Sequence, residues 1–230
     1  MLLQSLSLTL VASLAAANPI SRRSAPPYSE GQAFTLVANV TDTSKAIFDP
    51  PINGWSLSGT RVGANLYTAT LHAGGGAVFF VNGTGQDVSS ASTSLASPPV
   101  DFGTGNYMPG GLQFGPAASN DREAYLSLNL GQFGTVGAGI TPGLRGAYAD
   151  LFIRFDAGTF VVCNETAPTY GRPQYPVRFE AAAVPDNCVA ISLLAQCAPL
   201  PELHGVDEFN LRPLGAKCYD DVAAIDWSQY

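Results

Sequence analysis

Short stretches of alternating apolar and polar residues, each closed off by Gly, Pro, Asn or Asp, recur along this chain. A period of two sends successive side chains to opposite faces of an extended backbone, so each stretch buries one face and wets the other. The pattern runs through Ala33–Val40, Ala64–Leu71, Gly76–Val81, Ala124–Leu130, Ala149–Phe155, Thr159–Cys163, Tyr175–Phe179 and Cys188–Leu194. No long segment shows a 3.6-residue period with helix caps. These features predict an all-β fold, an antiparallel β-sandwich or barrel with long Gly/Pro/Ser-rich loops. Asp156-Ala157-Gly158 stands between two strong strand stretches and is expected to turn a tight hairpin, as is Asn82-Gly83. Residues 84–123 are dominated by Gly, Ser, Pro and polar side chains and read as surface loops carrying at most short strands.

The first residues have a different logic. Leu2 to Ala17 carries no charged side chain and is too short to span a bilayer as a helix, which needs about 20 apolar residues. Its closing alanines, Ala15-Ala16-Ala17, suit signal peptidase, so residues 1–17 are expected to be a secretory signal. Asn18-Pro19 and the polar stretch behind it stop any helix there. Arg22-Arg23 precedes Ser24-Ala25-Pro26-Pro27, an exposed kind of segment that a dibasic-cleaving protease needs. Residues 18–23 then form a propeptide, and residues 24–230 form one β-rich domain. No later run is long and apolar enough for a transmembrane helix, and the end at Tyr230 lacks the hydrophobic tail of a lipid-anchor signal. The expected destination is extracellular, secreted or wall-associated, with no membrane anchor.

Composition narrows the partners. Formal net charge is −7, which repels phosphate backbones and anionic lipid, so no nucleic-acid partner is expected. Charged residues make up only 13% against 46% hydrophobic, too apolar for a disordered chain. The four cysteines are Cys163, Cys188, Cys197 and Cys218. In an oxidising compartment they read as two disulfides, and four cysteines allow three connectivities. Linking Cys163 to Cys188 and Cys197 to Cys218 is favoured, because it joins nearby segments without threading. Three N-glycosylation sequons start at Asn39, Asn82 and Asn164.

Catalytic signatures are scarce. The two histidines, His72 and His204, lie in no H-E-x-x-H pattern, and no G-x-S-x-G occurs. His72 follows a strand and precedes Ala73-Gly74-Gly75-Gly76, which makes it the best candidate for a general base. Gly131–Gly139 is glycine-rich but lacks the Lys-Ser/Thr of a phosphate loop, and reads as turns between strands. A glycosidase needs two carboxylates about 5–10 Å apart. Asp150, Asp156, Glu165, Asp220 and Asp221 are available, but no spacing singles out a pair. No tight cysteine pair suggests a zinc site, and no cofactor or metal is expected. Trp55, Tyr107, Tyr125, Tyr170, Tyr175 and Trp227 are candidates for a sugar-stacking face.

Three stretches, LFIRFDAGTFVVC at Leu151–Cys163, YPVRF at Tyr175–Phe179 and DNCVAISL at Asp186–Leu193, carry a likeness. Over residues 151–193 the chain resembles secreted ascomycete proteins of uncharacterised function, the phialide-type cell-wall proteins and relatives labelled IgE-binding proteins. The pair Cys197 and Cys218 is additional to the phialide-type pattern. The resemblance implies a fungal, secreted or wall-associated β-protein and assigns no catalytic residue. The expected function is non-enzymatic: structural, adhesive or host-interacting, with cell-wall polysaccharide or a host protein as partner. The alternative is a glycan-binding module or a glycoside hydrolase acting on wall polysaccharide.

Overall fold

The β-rich pattern becomes strands in a computed structural model, which describes residues 25–45, 47–63, 66–90, 92–101, 107–114, 122–127, 134–141, 148–153, 158–166, 173–180, 183–205, 207 and 209–230. The expected signal, the propeptide and the dibasic site lie outside the described residues. The longest strand, Cys188–Ala198, is the spine. Its edges are taken by Thr159–Cys163 and by Ala33–Val40, which pairs with it from Ile191↔Val40 to Ala198↔Ala33. Ala33–Val40 is buried at Ala33, Phe34, Leu36, Val37 and Ala38. Its apolar run is therefore covered on both faces, rather than alternating in and out.

From this spine the pairings run back on themselves. Ala33–Val40 meets Ser56–Gly63 at Val37↔Ser56, and Ser56–Gly63 pairs along Leu66–His72. Leu66–His72 pairs with Arg122–Ser127, which reaches Val177–Glu180 through Arg178↔Glu123 and Phe179↔Arg122. Val177–Glu180 returns to Thr159–Cys163. The main sheet thus closes into a barrel-like ring, which removes most of its exposed edges. A wing runs off Arg122–Ser127 through Tyr107–Phe114, Ser94–Asp101 and Phe80–Asn82 to Pro213–Leu214. A bridge between Phe79 and Phe34 folds the wing back onto Ala33–Val40, beside the spine. Phe34, Leu36, Leu57, Leu71, Leu95, Leu112 and Leu193 fill the core between them.

Two expectations are corrected. Residues 84–123 are not mainly loop: Ser94–Asp101 and Tyr107–Phe114 are eight-residue strands. Pro98-Pro99 conceals the first of them. Proline donates no ladder hydrogen bond, and the register accordingly slips between Ser97 and Val100, a bulge that accommodates both rings. The hairpin expected at Asp156-Ala157-Gly158 is also absent as a strand pairing among the described residues. Thr159–Cys163 has both edges occupied, by Val177–Glu180 and Cys188–Ala198, so Leu151–Ile153 pairs instead with Ala138–Ile140. Residues 154–157 themselves lie outside the described residues.

The ends of the domain are tied together. Ser29–Gly31 pairs antiparallel with Ala216–Cys218, and Cys218 is bonded to Cys197 at the far end of the spine. Tyr219, 1% exposed, accepts a hydrogen bond on its hydroxyl from the Ala149 N–H at 3.1 Å.

Candidate functional site

Cysteines come first, because they fix neighbouring strands. Cys163 faces Cys188 directly across Thr159–Cys163 and Cys188–Ala198, with Cα atoms 4.0 Å apart, and the two are bonded. The second bridge joins Cys197 to Cys218 over 5.1 Å. No described cysteine is free.

The sequons fall in three settings. Asn39 sits opposite Ser192 in the Ala33–Val40 strand and is half-buried. Asn164 is exposed, and its amide donates to the Ile47 carbonyl at 3.2 Å. Asn82 closes a strand, with its Oδ1 accepting from the Arg212 N–H at 2.6 Å. Asn82-Gly83 does not turn the expected hairpin. It leads into a short helix, Gly85–Ser90, where Thr84 and Asp87 cap each other: Asp87 Oδ2 accepts from the Thr84 N–H at 2.7 Å and Thr84 Oγ1 accepts from the Asp87 N–H at 3.3 Å.

His72 is exposed at the end of Leu66–His72. Its Nε2 lies 2.8 Å from Thr70 Oγ1, which lies 2.7 Å from Thr60 Oγ1. A hydroxyl beside an imidazole resembles a nucleophile and its base, but Thr70 is only 1% exposed and out of a substrate's reach. The arrangement ties two neighbouring strands together. His72→Ala is expected to shift unfolding free energy by less than about 1 kcal/mol, since Thr70 keeps Thr60 as partner and the lost side chain is exposed. Thermal melts and secretion assays check this. Loss of a biological activity at unchanged stability would instead mark His72 as catalytic. His204 stacks on Tyr107 with ring centroids 4.2 Å apart.

Carboxylates are dispersed. Glu165 pairs with Arg178 at 2.7 Å, and Asp221 caps a 3₁₀ turn by accepting from the Ala223 N–H at 2.9 Å. Asp220 is exposed, and Asp156 lies outside the described residues. Asp150 lines a cavity of about 340 Å³ with Thr41, Phe152, Phe160, Phe179 and Ser192. Burial pushes its carboxyl above the usual range, against the hydrogen bond it accepts from Thr141 Oγ1 at 2.8 Å. A hydrolase of sugars needs a second carboxylate, and the described lining of this cavity supplies none. Among the described residues no cluster of His, Cys, Asp and Glu suits a metal ion.

The Asp150 shift has a consequence for stability. A carboxyl whose folded pKa exceeds its unfolded value binds its proton more tightly in the native state. Stability is therefore gained as pH falls through the window between the two values, and lost as pH rises through it. Asp150→Asn keeps the acceptor for Thr141 and removes the charge. Its melting temperature is expected to exceed that of the parent at pH 7, with the gap closing near pH 4. A gap that does not change with pH would refute the burial argument.

The aromatic candidates do not share one described face. Trp55 and Tyr175 meet edge-on at 5.3 Å with Phe48 beside them, against the main core. Trp227 packs on Tyr148 and Tyr219 near the C-terminus, with its Nε1 donating to the Val222 carbonyl at 3.3 Å. Tyr107 stacks with His204 elsewhere. The Tyr125 side chain and all of Tyr170 lie outside the described residues.

Sequence reasoning missed an apolar recess. A pocket of about 330 Å³ opens between the paired chain ends and Ala138–Ile140, lined by Val81, Ile140, Phe152, Leu214 and Ala216 with Lys217 and Glu30 also on its lining. Its residues come from separate segments, and no local pattern announces them.

The model of a family described as Domain of unknown function (DUF7907) matches residues 31–197. The "Antigenic protein SchS34" of Stachybotrys chartarum is 32% identical over 235 residues, covering 93% of this chain and 99% of the relative. No solved structure matches. These matches indicate an uncharacterised fungal family and carry neither the phialide-type nor the IgE-binding label.

Proposed function

The chain belongs to this family of unknown function, and from that premise we propose that it is a secreted, non-enzymatic fungal protein acting outside the cell, at the wall or on a host. One observation carries the reading: the likeness to an antigenic fungal protein runs through nearly the whole of both chains. A protein that leaves the cell or stands at its surface is readily met as an antigen, which supports the reading. Two disulfides support the same compartment, since such bonds persist where the surroundings are oxidising. Three sequons and the apolar leader agree with passage through the secretory route. The dispersal of His72, His204 and the described carboxylates favours a role in binding or structure over chemistry.

Fractionating a producing culture tests the reading. The protein is expected in the medium or the wall fraction, beginning at or near Ser24, glycosylated and without free thiols. Reduced, full-length protein confined to the cytosol would overturn it. Columns of chitin, glucan and mannan test the wall partner. Retention on one polymer, with release by its own oligosaccharide, would replace this reading with a glycan-binding one.

A further inference from the structure

We propose that the apolar pocket beside the joined chain ends binds a small amphiphile, an apolar body of medium length bearing an anionic head. The walls define the body. Val81, Ile140 and Ala216 are buried, and Phe152 and Leu214 are half-buried against the same space. Thr93, also on the wall, spends its hydroxyl hydrogen on the Ala138 carbonyl at 3.2 Å. The inner wall therefore offers little to a polar group. Apolar cavities stay dry and take apolar guests; one of 150 Å³ holds benzene, so about 330 Å³ accommodates a body of roughly ten carbon atoms.

Lys217 defines the head. It is the single cation of the described lining, and its ammonium carries three donors. One goes to Glu30, and the ammonium also lies 5.1 Å from the centre of the Tyr28 ring. Glu30 has no deeper anchorage: its side chain is 69% exposed. The Lys217 hydrogen bond, then its charge, holds the Glu30 carboxyl below the usual range. A ligand carboxylate can take the place of Glu30 on Lys217 while its body fills the pocket that Glu30 leaves empty. Glu30 is then an internal competitor for the head site.

Two substitutions separate this from a merely structural ion pair. Exposed pairs add little to stability, so both variants stay folded, which circular dichroism checks. Decanoate, decanol and acetate are titrated calorimetrically into the mature, disulfide-bonded protein. Decanoate is expected to bind saturably, one per chain, more tightly than decanol, with acetate giving no saturable heat. Lys217→Met is expected to weaken decanoate about tenfold, the loss of one charge-assisted hydrogen bond. Glu30→Gln is expected to strengthen it several-fold by removing the competitor. Absence of saturable decanoate binding to the folded parent would overturn the site. Equal affinity for decanol, or an affinity unmoved by Lys217→Met, would overturn the anionic head.

Discussion

Replacing Cys197 and Cys218 together by alanine is expected to lower the unfolding free energy by about 2–4 kcal/mol and the melting temperature by roughly 5–15 °C. The cysteines are 21 residues apart, and closing a loop of that size removes about 3–3.5 kcal/mol of freedom from the unfolded chain on chain-entropy reasoning. The other bridge spans 25 residues, so the same reasoning values the two almost equally. What differs is the folded state left behind. Cys163 and Cys188 lie in strands that remain paired through Phe160↔Ile191, Val161↔Ala190 and Val162↔Val189. Cys218 lies in a three-residue strand that, among the described residues, forms a ladder to Ser29–Gly31 alone. Its further ties to the spine are backbone hydrogen bonds on either side of Gln196, Tyr219 N–H to Ala195 at 2.8 Å and Cys197 N–H to Tyr219 at 2.8 Å. Loss of Cys197–Cys218 should therefore loosen the chain ends as well as destabilise the whole. Hydrogen exchange would show faster amide exchange at Ala216–Cys218 in the double variant, while Cys188–Leu194 stays protected. Because Ala216 and Lys217 line the apolar pocket, decanoate affinity should fall in the same variant. An unchanged unfolding midpoint, in protein shown to lack the bond, would contradict the first expectation.

The strands that were legible in the sequence are those whose pattern depends on their own residues. Thr159–Cys163 and Ala33–Val40 are dense in β-branched and aromatic side chains and end at turn formers, and they form as read. Ser56–Gly63 was not legible, because Ser, Gly and Thr dominate it and Leu57 is its deeply buried side chain. Its strand character comes from pairing with Leu66–His72, a tertiary cause that composition does not carry. Ring closure is hidden for the same reason. Arg178↔Glu123 joins segments far apart in the chain, and nothing in either segment names the other. The cysteines were more informative, because a covalent bond between two side chains restricts which strands can be neighbours. The pocket was not legible at all. Glu30, Val81, Ile140, Phe152 and Lys217 meet only once the chain ends pair, and each looks unremarkable in its own segment.

Gly134→Ala is expected to destabilise the protein by at least about 3 kcal/mol, more than Gly54→Ala on a comparable backbone angle. Gly134 and Gly137 belong to the glycine-rich stretch Gly131–Gly139, which lacks the features of a phosphate loop. Gly134 has φ +90° and Gly137 has φ +91°, a region that L side chains enter at about 1–2 kcal/mol each. Gly134 is also crowded: a Cβ there would lie 2.5 Å from the Leu95 carbonyl oxygen and 2.8 Å from that of Leu112. Both oxygens belong to strand backbone, which cannot swing aside as a flexible side chain can. The neighbouring turn is fixed on the same strands, through Thr135 N–H to the Leu112 carbonyl at 3.0 Å and Gly137 N–H to the Thr93 carbonyl at 2.8 Å. Relief of the clash would have to pull this segment off the ends of Ser94–Asp101 and Tyr107–Phe114. Gly54 supplies the control. It has φ +82° but nothing within 4 Å of the added Cβ, so Gly54→Ala pays only for the backbone angle, about 1–2 kcal/mol. The difference between the two variants isolates the close approach, and urea unfolding of both measures it. If Gly134→Ala proved no more damaging than Gly54→Ala, the turn would not be seated on those strands as described, and the wing of the sheet at Leu95 and Leu112 would need a different account.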